Sequence, residues 1–142
     1  MQKYKQYAVF ILFLFYLFWL MVMSFVGIGT RHLRANNYEG INNNFIPFHT
    51  VISYVFEIDH YNFDTWFYNT IGVVIIFMPL GFLLPKVFSN FNTLKSVLYF
   101  SLVMSMSIEI VQFLTRLGVL DVDDVILNLA GAAIGYLISK LI

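Results

Sequence analysis

The sequence predicts an all-α integral membrane protein, a bundle of four transmembrane helices with both termini cytoplasmic. Three observations predict it. Of 142 residues, 60% are hydrophobic and only 11% are charged, too few to give a soluble domain of this size a polar surface. Four apolar runs, about Tyr7–Ile28, Trp66–Leu84, Val97–Leu114 and Val125–Ile142, are long enough to cross a hydrocarbon core of roughly 30 Å. The charges also partition. With those spans, all five lysines (Lys3, Lys5, Lys86, Lys95 and Lys140) fall on one side, counting +5. Three arginines against eight acids leave −5 on the other side or within the outer half of the bilayer. Positive residues in short loops set orientation, so the lysine side is expected to be cytoplasmic.

The first span carries no charge in 22 residues and follows Lys3 and Lys5. That start resembles a signal peptide, but the run exceeds the roughly 7–15 apolar residues of a signal core, so a retained anchor is expected. Gly29–Thr65 is the one long connection, and it is too apolar for a free linker. Phe48, Ile52, Val55 and Phe56 recur at helical spacing. Pro47–Ile58 therefore reads as a short amphipathic helix at the outer interface, or else as a loop folded over the helix ends. Tyr61, Phe63, Trp66, Phe67 and Tyr68 crowd the next span at the level where aromatics favour headgroups. Within the second span Pro79 is expected to kink or end the helix. The third span carries Ser105, Ser107, Glu109 and Gln112. The fourth carries Asn128 and the small-residue pair Gly131 and Gly135, whose spacing lets helix backbones approach closely, within the chain or with a partner helix.

The candidate ligand-binding residues are Asn69, Glu109, Gln112, Arg116, Asp123, Asp124 and Asn128. Glu109 lies seven positions before Arg116, roughly 10 Å deeper along a helix. A charge at mid-bilayer costs about 2.5–3.5 kcal/mol on insertion scales, so such an acid is paired, protonated or turned to a polar cavity. Gln112 and Arg116 follow on the same helix face, with Ser105 one turn below. In Asp121-Val122-Asp123-Asp124, either Asp123 or Asp124 is expected to N-cap the fourth helix. A cap accounts for one acid and leaves the others to pair with arginine or a ligand. Oxygen ligands of this kind hold hard cations, but the spacing is not that of an EF-hand loop, and no metal is assigned. Asp124, Asn128, Gly131 and Gly135 form one stripe, expected to meet a single neighbour. Asn69, one turn inside the second span, reaches a similar depth. These groups line an outward pocket or form a hydrogen-bonded core.

Other chemistry is absent from the pattern. With no cysteine, disulfides and thiolate nucleophiles are excluded. His32, His49 and His60 lack metal-ligand spacing, and no nucleophile elbow, P-loop or dinucleotide fingerprint occurs, so no cofactor is expected. No strongly basic nucleic-acid footprint is present.

Taken in order, these residues resemble the VanZ-like family of small membrane proteins. Asn44-Phe-Ile-Pro47-Phe48 is similar to its N-x-I-P-F element, and Asn69…Phe77-Met-Pro79-Leu-Gly81-Phe to its second span. Ser107-Ile-Glu109-Ile-Val-Gln112 resembles S-x-E-x-x-Q in its third span. Arg116…Asp121-Val-Asp123-Asp124…Asn128…Gly131…Gly135-Tyr136 resembles the R…D-x-D-D…N…G…G-Y run into its last. Each segment is weak alone, and the ordered set is specific. Residues Arg31 to Asn43 match nothing nameable. The resemblance implies a single domain over 1–142. The family's namesake is associated with teicoplanin resistance in Gram-positive bacteria, which implies a role in the cell envelope, at the outer face. It supplies no reaction, and nothing in the sequence supports the acyl-transfer label some members carry. The expected function is binding or shielding of an amphiphilic or lipid-linked ligand, such as a cell-wall precursor or a lipoglycopeptide, amid membrane lipids. The alternatives are an enzyme modifying an envelope lipid through Glu109 and Asp121–Asp124, and a structural partner of another membrane protein through Gly131 and Gly135.

Overall fold

The computed structural model describes residues 2–26, 43–56, 61–115 and 120–142. Arg31, Arg34, Arg116, His32 and His60 lie outside the described residues. The elements are α1 (Gln2–Val26), α2 (His49–Phe56), α3 (Phe63–Phe67), a π-helical turn (Tyr68–Gly72), α4 (Val73–Val87), a 3₁₀ turn (Ser89–Phe91), α5 (Leu94–Leu114) and α6 (Val122–Leu141). Four stretches are long and apolar enough to cross a membrane: Lys3–Phe25, Tyr68–Val87, Leu94–Leu114 and Val122–Leu141. Each matches one expected span. The first and third helices start before the expected spans because Lys3, Lys5 and Lys95 belong to them, and α4 runs past the expected Leu84 to include Lys86; long basic side chains reach back to the interface.

Only a minority of each span is buried within the chain. The remaining apolar surface suits contact with lipid tails. The core gathers on α4: Phe77, Leu80, Leu83 and Leu84 are buried with Phe13, Tyr16 and Leu20 of α1, Val97 and Ile108 of α5, and Tyr136 of α6.

Pro79 and Pro85 do not end α4, which runs on to Val87. A helical proline frees a carbonyl, and packed neighbours can supply donors in its place. Pro79 frees the Ile75 carbonyl; the Tyr16 hydroxyl donates to the next carbonyl, that of Ile76, at 2.9 Å and ties this turn to α1.

The tightest packing joins α4 and α6. A Cβ on Gly135 would overlap the Met78 carbonyl oxygen, one on Gly131 the Val74 carbonyl oxygen, and one on Gly81 the Ala132 carbonyl oxygen. Glycine on both helices lets the two backbones touch. The stripe on α6 therefore meets two neighbours rather than one. Its glycines face α4, whereas the Asn128 amide donates to Ser105 Oγ of α5 at 2.7 Å.

The two ends of the bundle differ. At one end stand Lys3 and Lys5 of α1, Lys86 of α4, Lys95 of α5 and Lys140 of α6. There Phe88 stacks edge-on with Phe10 and Phe13, and the Tyr136 hydroxyl donates to the Asn92 carbonyl. At the other end lie Glu109, the Asp121–Asp124 run and α2.

Candidate functional site

The acidic end is built from three chain segments. The first is the stretch before α2. Asn44 pairs with Asp121 as an isolated parallel bridge: its N–H donates to the Leu120 carbonyl at 2.9 Å, and its carbonyl accepts from Val122 at 3.1 Å. Its side-chain amide donates to Asp121 Oδ1 and to Thr50 Oγ1, both at 2.9 Å. The Asn44 motif and the aspartate motif thus bind each other directly.

Asp121, rather than Asp123 or Asp124, is the N-cap of α6. Its backbone is extended, and its Oδ1 accepts from the Asp123 N–H at 2.8 Å. Its Oδ2 accepts from the Thr50 hydroxyl at 2.8 Å. Because the helix starts two or three residues earlier than expected, Asp123 falls in its first turn and is left for a different task.

That task is to cap α2. Phe48 occupies the N-cap position, since its carbonyl accepts the first helical bond, from Ile52 at 2.8 Å. An N-cap side chain ordinarily offers an oxygen to the amides two and three residues on. Phenylalanine has none. Asp123 supplies it from α6: the Thr50 and Val51 amides donate to Oδ2 at 2.7 and 3.2 Å, and the Phe48 amide to Oδ1. Asp123 is fully buried, and its negative charge meets the positive end of the α2 dipole. Phe48 is held at a φ of 67°, a left-handed conformation that costs a bulky residue about 1–3 kcal/mol and persists only where its surroundings enforce it. An eight-residue helix is marginal alone, so this grip fixes the start of α2.

Glu109 completes the arrangement from α5. It is 5% exposed, and its Oε2 accepts from the Asp121 N–H at 3.1 Å. A carboxylate deep in the third span is therefore joined to the entry of the fourth.

The other candidates also bridge elements. Gln112 donates to the Ser24 carbonyl of α1 at 2.7 Å. Asn69, in the π-helical turn, donates to the Tyr54 hydroxyl of α2 at 2.9 Å, and Trp66 donates to the Tyr54 carbonyl at 3.1 Å. Asp124 is half-buried beside Asp123. The structure brings Glu109 and Asp123 into one network with Asp121. Asn69, Gln112 and Asn128 stand apart, each at its own helix contact, and Arg116 lies outside the described residues. Sequence reasoning missed Thr50 and Tyr54 altogether and gave Asn44 no chemical role. Among the described residues, no three His, Asp or Glu side chains converge as metal ligands.

Around this network the surface is apolar. Phe45, Ile46, Phe48, Ile52, Val55 and Phe56 are all exposed. α2 therefore offers a hydrophobic face beside an acidic, hydrogen-bonded base.

Four helices long and apolar enough to span a membrane, with Glu109, Asp121 and Asp123 knotted at one end, define a multi-pass membrane protein. The VanZ/LLP1 family profile matches residues 10–142, and the chain belongs to that family. It is 41% identical over 69 residues to Protein VanZ of Enterococcus faecium. That match covers 49% of this chain and 42% of the Enterococcus protein, so the chain aligns with less than half of that relative. No solved structure gives a significant match.

Proposed function

We propose that this protein lowers the action of teicoplanin-type glycopeptides on the bacterial cell membrane. It does so by binding or shielding an amphiphilic or lipid-linked ligand at the outer face. Both termini are cytoplasmic in this reading, because the five lysines cluster at one end of the bundle and positive residues are retained inside. The acidic end then faces outward, and α2 lies at the outer interface.

The observation that carries the reading is the Asp123 cap. A fully buried carboxylate from one span fixes a short helix whose exposed large hydrophobic side chains, in and before it, are Phe45, Ile46, Phe48, Ile52, Val55 and Phe56. An apolar face held rigidly beside polar groups suits a molecule with a lipid tail and a polar head. Glu109, Gln112, Arg116, Asp123, Asp124, Asn69 and Asn128 form or support the polar side, with Arg116 meeting an anionic headgroup. The carboxylates of Asp121 and Asp123 already accept three or more hydrogen bonds from this chain. Acceptors so engaged favour binding over acid–base chemistry on an envelope lipid.

Teicoplanin susceptibility tests it in a bacterium that depends on this protein for protection. Glu109→Gln and Arg116→Ala, at equal membrane abundance, are expected to lose protection. Unchanged susceptibility in both would remove these residues from the mechanism.

A further inference from the structure

The lysine end holds a cavity of about 370 Å³, bounded by Lys3, Gln6, Tyr7 and Phe10 of α1, Val87 of α4, and Phe88 beyond it. Its size falls within the range of small-ligand sites, roughly 300–1,000 Å³. We propose that it binds an anionic phospholipid, with the phosphate at Lys3, Gln6 and Tyr7 and the first acyl carbons on Phe10, Val87 and Phe88.

Three observations support that occupant. The first is charge. All eight acids lie elsewhere in the chain, so a phosphate meets an ammonium here without a competing carboxylate nearby in sequence. The second is the division of the lining. Lys3, Gln6 and Tyr7 fall in the first two turns of α1, at the polar end of a membrane span, and Phe10 lies one turn deeper. Polar groups at the headgroup level above an apolar floor match the order of groups along a phospholipid. The third is a fixed wall. Phe88 stacks edge-on with Phe10, Phe13 and Phe91 at centroid distances of 6.5, 5.8 and 6.3 Å, so the floor is held by packing across three segments. Two other lysines are engaged with rings: Lys86 Nζ lies 4.5 Å from the Phe82 centroid, and Lys140 Nζ 5.1 Å from that of Tyr136. Lys3 instead lines the cavity. Pockets of basic character between spanning helices are a recurrent headgroup site.

This site is separate from the acidic end, and its test does not depend on drug protection. The full chain is purified in a mild detergent and titrated with phosphatidylglycerol or phosphatidylcholine, and bound lipid is counted by native mass spectrometry. Wild type is expected to retain phosphatidylglycerol in preference. Lys3→Gln and Gln6→Glu should each weaken that retention roughly five-fold, the worth of one lysine near a membrane surface. Lys95→Gln, which alters the same end away from the cavity, should leave it unchanged. The proposal is overturned by equal retention of both lipids, by wild-type retention in both cavity variants, or by an equal loss in Lys95→Gln, which would mark general surface attraction. Displacement of the lipid by glycerol 3-phosphate would also overturn it, because the acyl floor would then contribute nothing.

Discussion

The two ends of this bundle use charge in opposite ways. At the lysine end, the basic side chains Lys3, Lys5, Lys86, Lys95 and Lys140 are all exposed, and packing there is left to aromatic rings such as Phe13, Phe88 and Phe91. At the acidic end, Glu109 and Asp123 are buried, and their oxygens receive backbone amides of α2 and of the α6 entry. Charge at one end addresses the surroundings; charge at the other organises the chain's own backbone. The difference explains why the residues that look most like a catalytic set are also those on which the local fold depends.

The comparison can be broken at three levels. The largest effect is expected from Gly135→Leu. It places a side chain into the Met78 carbonyl and must part α4 from α6, which support both ends alike. Folded protein should be lost from the membrane, read as failure to recover a monodisperse species in detergent. Asp123→Ala comes next. It removes the acceptor of three backbone amides, and each buried donor left unpaired costs about 1–3 kcal/mol. Hydrogen exchange at the Thr50 and Val51 amides should accelerate strongly, while the four spans keep their protection. Equal acceleration throughout the molecule would contradict a local lock. Asn128→Ala is milder. It removes one interhelical bond, and such bonds in membrane proteins average about 0.6 kcal/mol. A small fall in thermal stability in detergent, with α2 exchange unchanged, would separate the helix seam from the lock.

The spans were legible because hydropathy over about 20 residues is a strong signal and the lysines mark where the helices end. The fate of Pro79 was not, since its helix continues inside a core shared with α1, where Tyr16 bonds Ile76, 60 positions away. The types of the site residues were legible too. A carboxylate deep in a span is costly unless partnered, so Glu109 stands out in any reading. Its partners did not stand out. Asp123 caps a helix whose N-cap, Phe48, lies 75 positions earlier, and the need for that cap is written in Phe48, which lacks an oxygen of its own. A helix start with no capping residue, within reach of a run of surplus aspartates, is the signal that was available. The two-neighbour stripe on α6 follows from helix geometry. Asn128 and Gly131 differ by about 60° around the axis, enough to face α5 and α4 separately.

The most direct measurement is teicoplanin susceptibility of cells carrying Ile52→Ser together with Phe56→Ser. Membrane abundance is matched to wild type, and α2 exchange is verified as unchanged. Both side chains are exposed on α2, and neither joins the hydrogen-bonded knot. If the knot serves to present an apolar face to an amphiphile, susceptibility rises to that of cells lacking the protein. Full protection by this variant would contradict the account, for the lock would then hold a face that protection does not use.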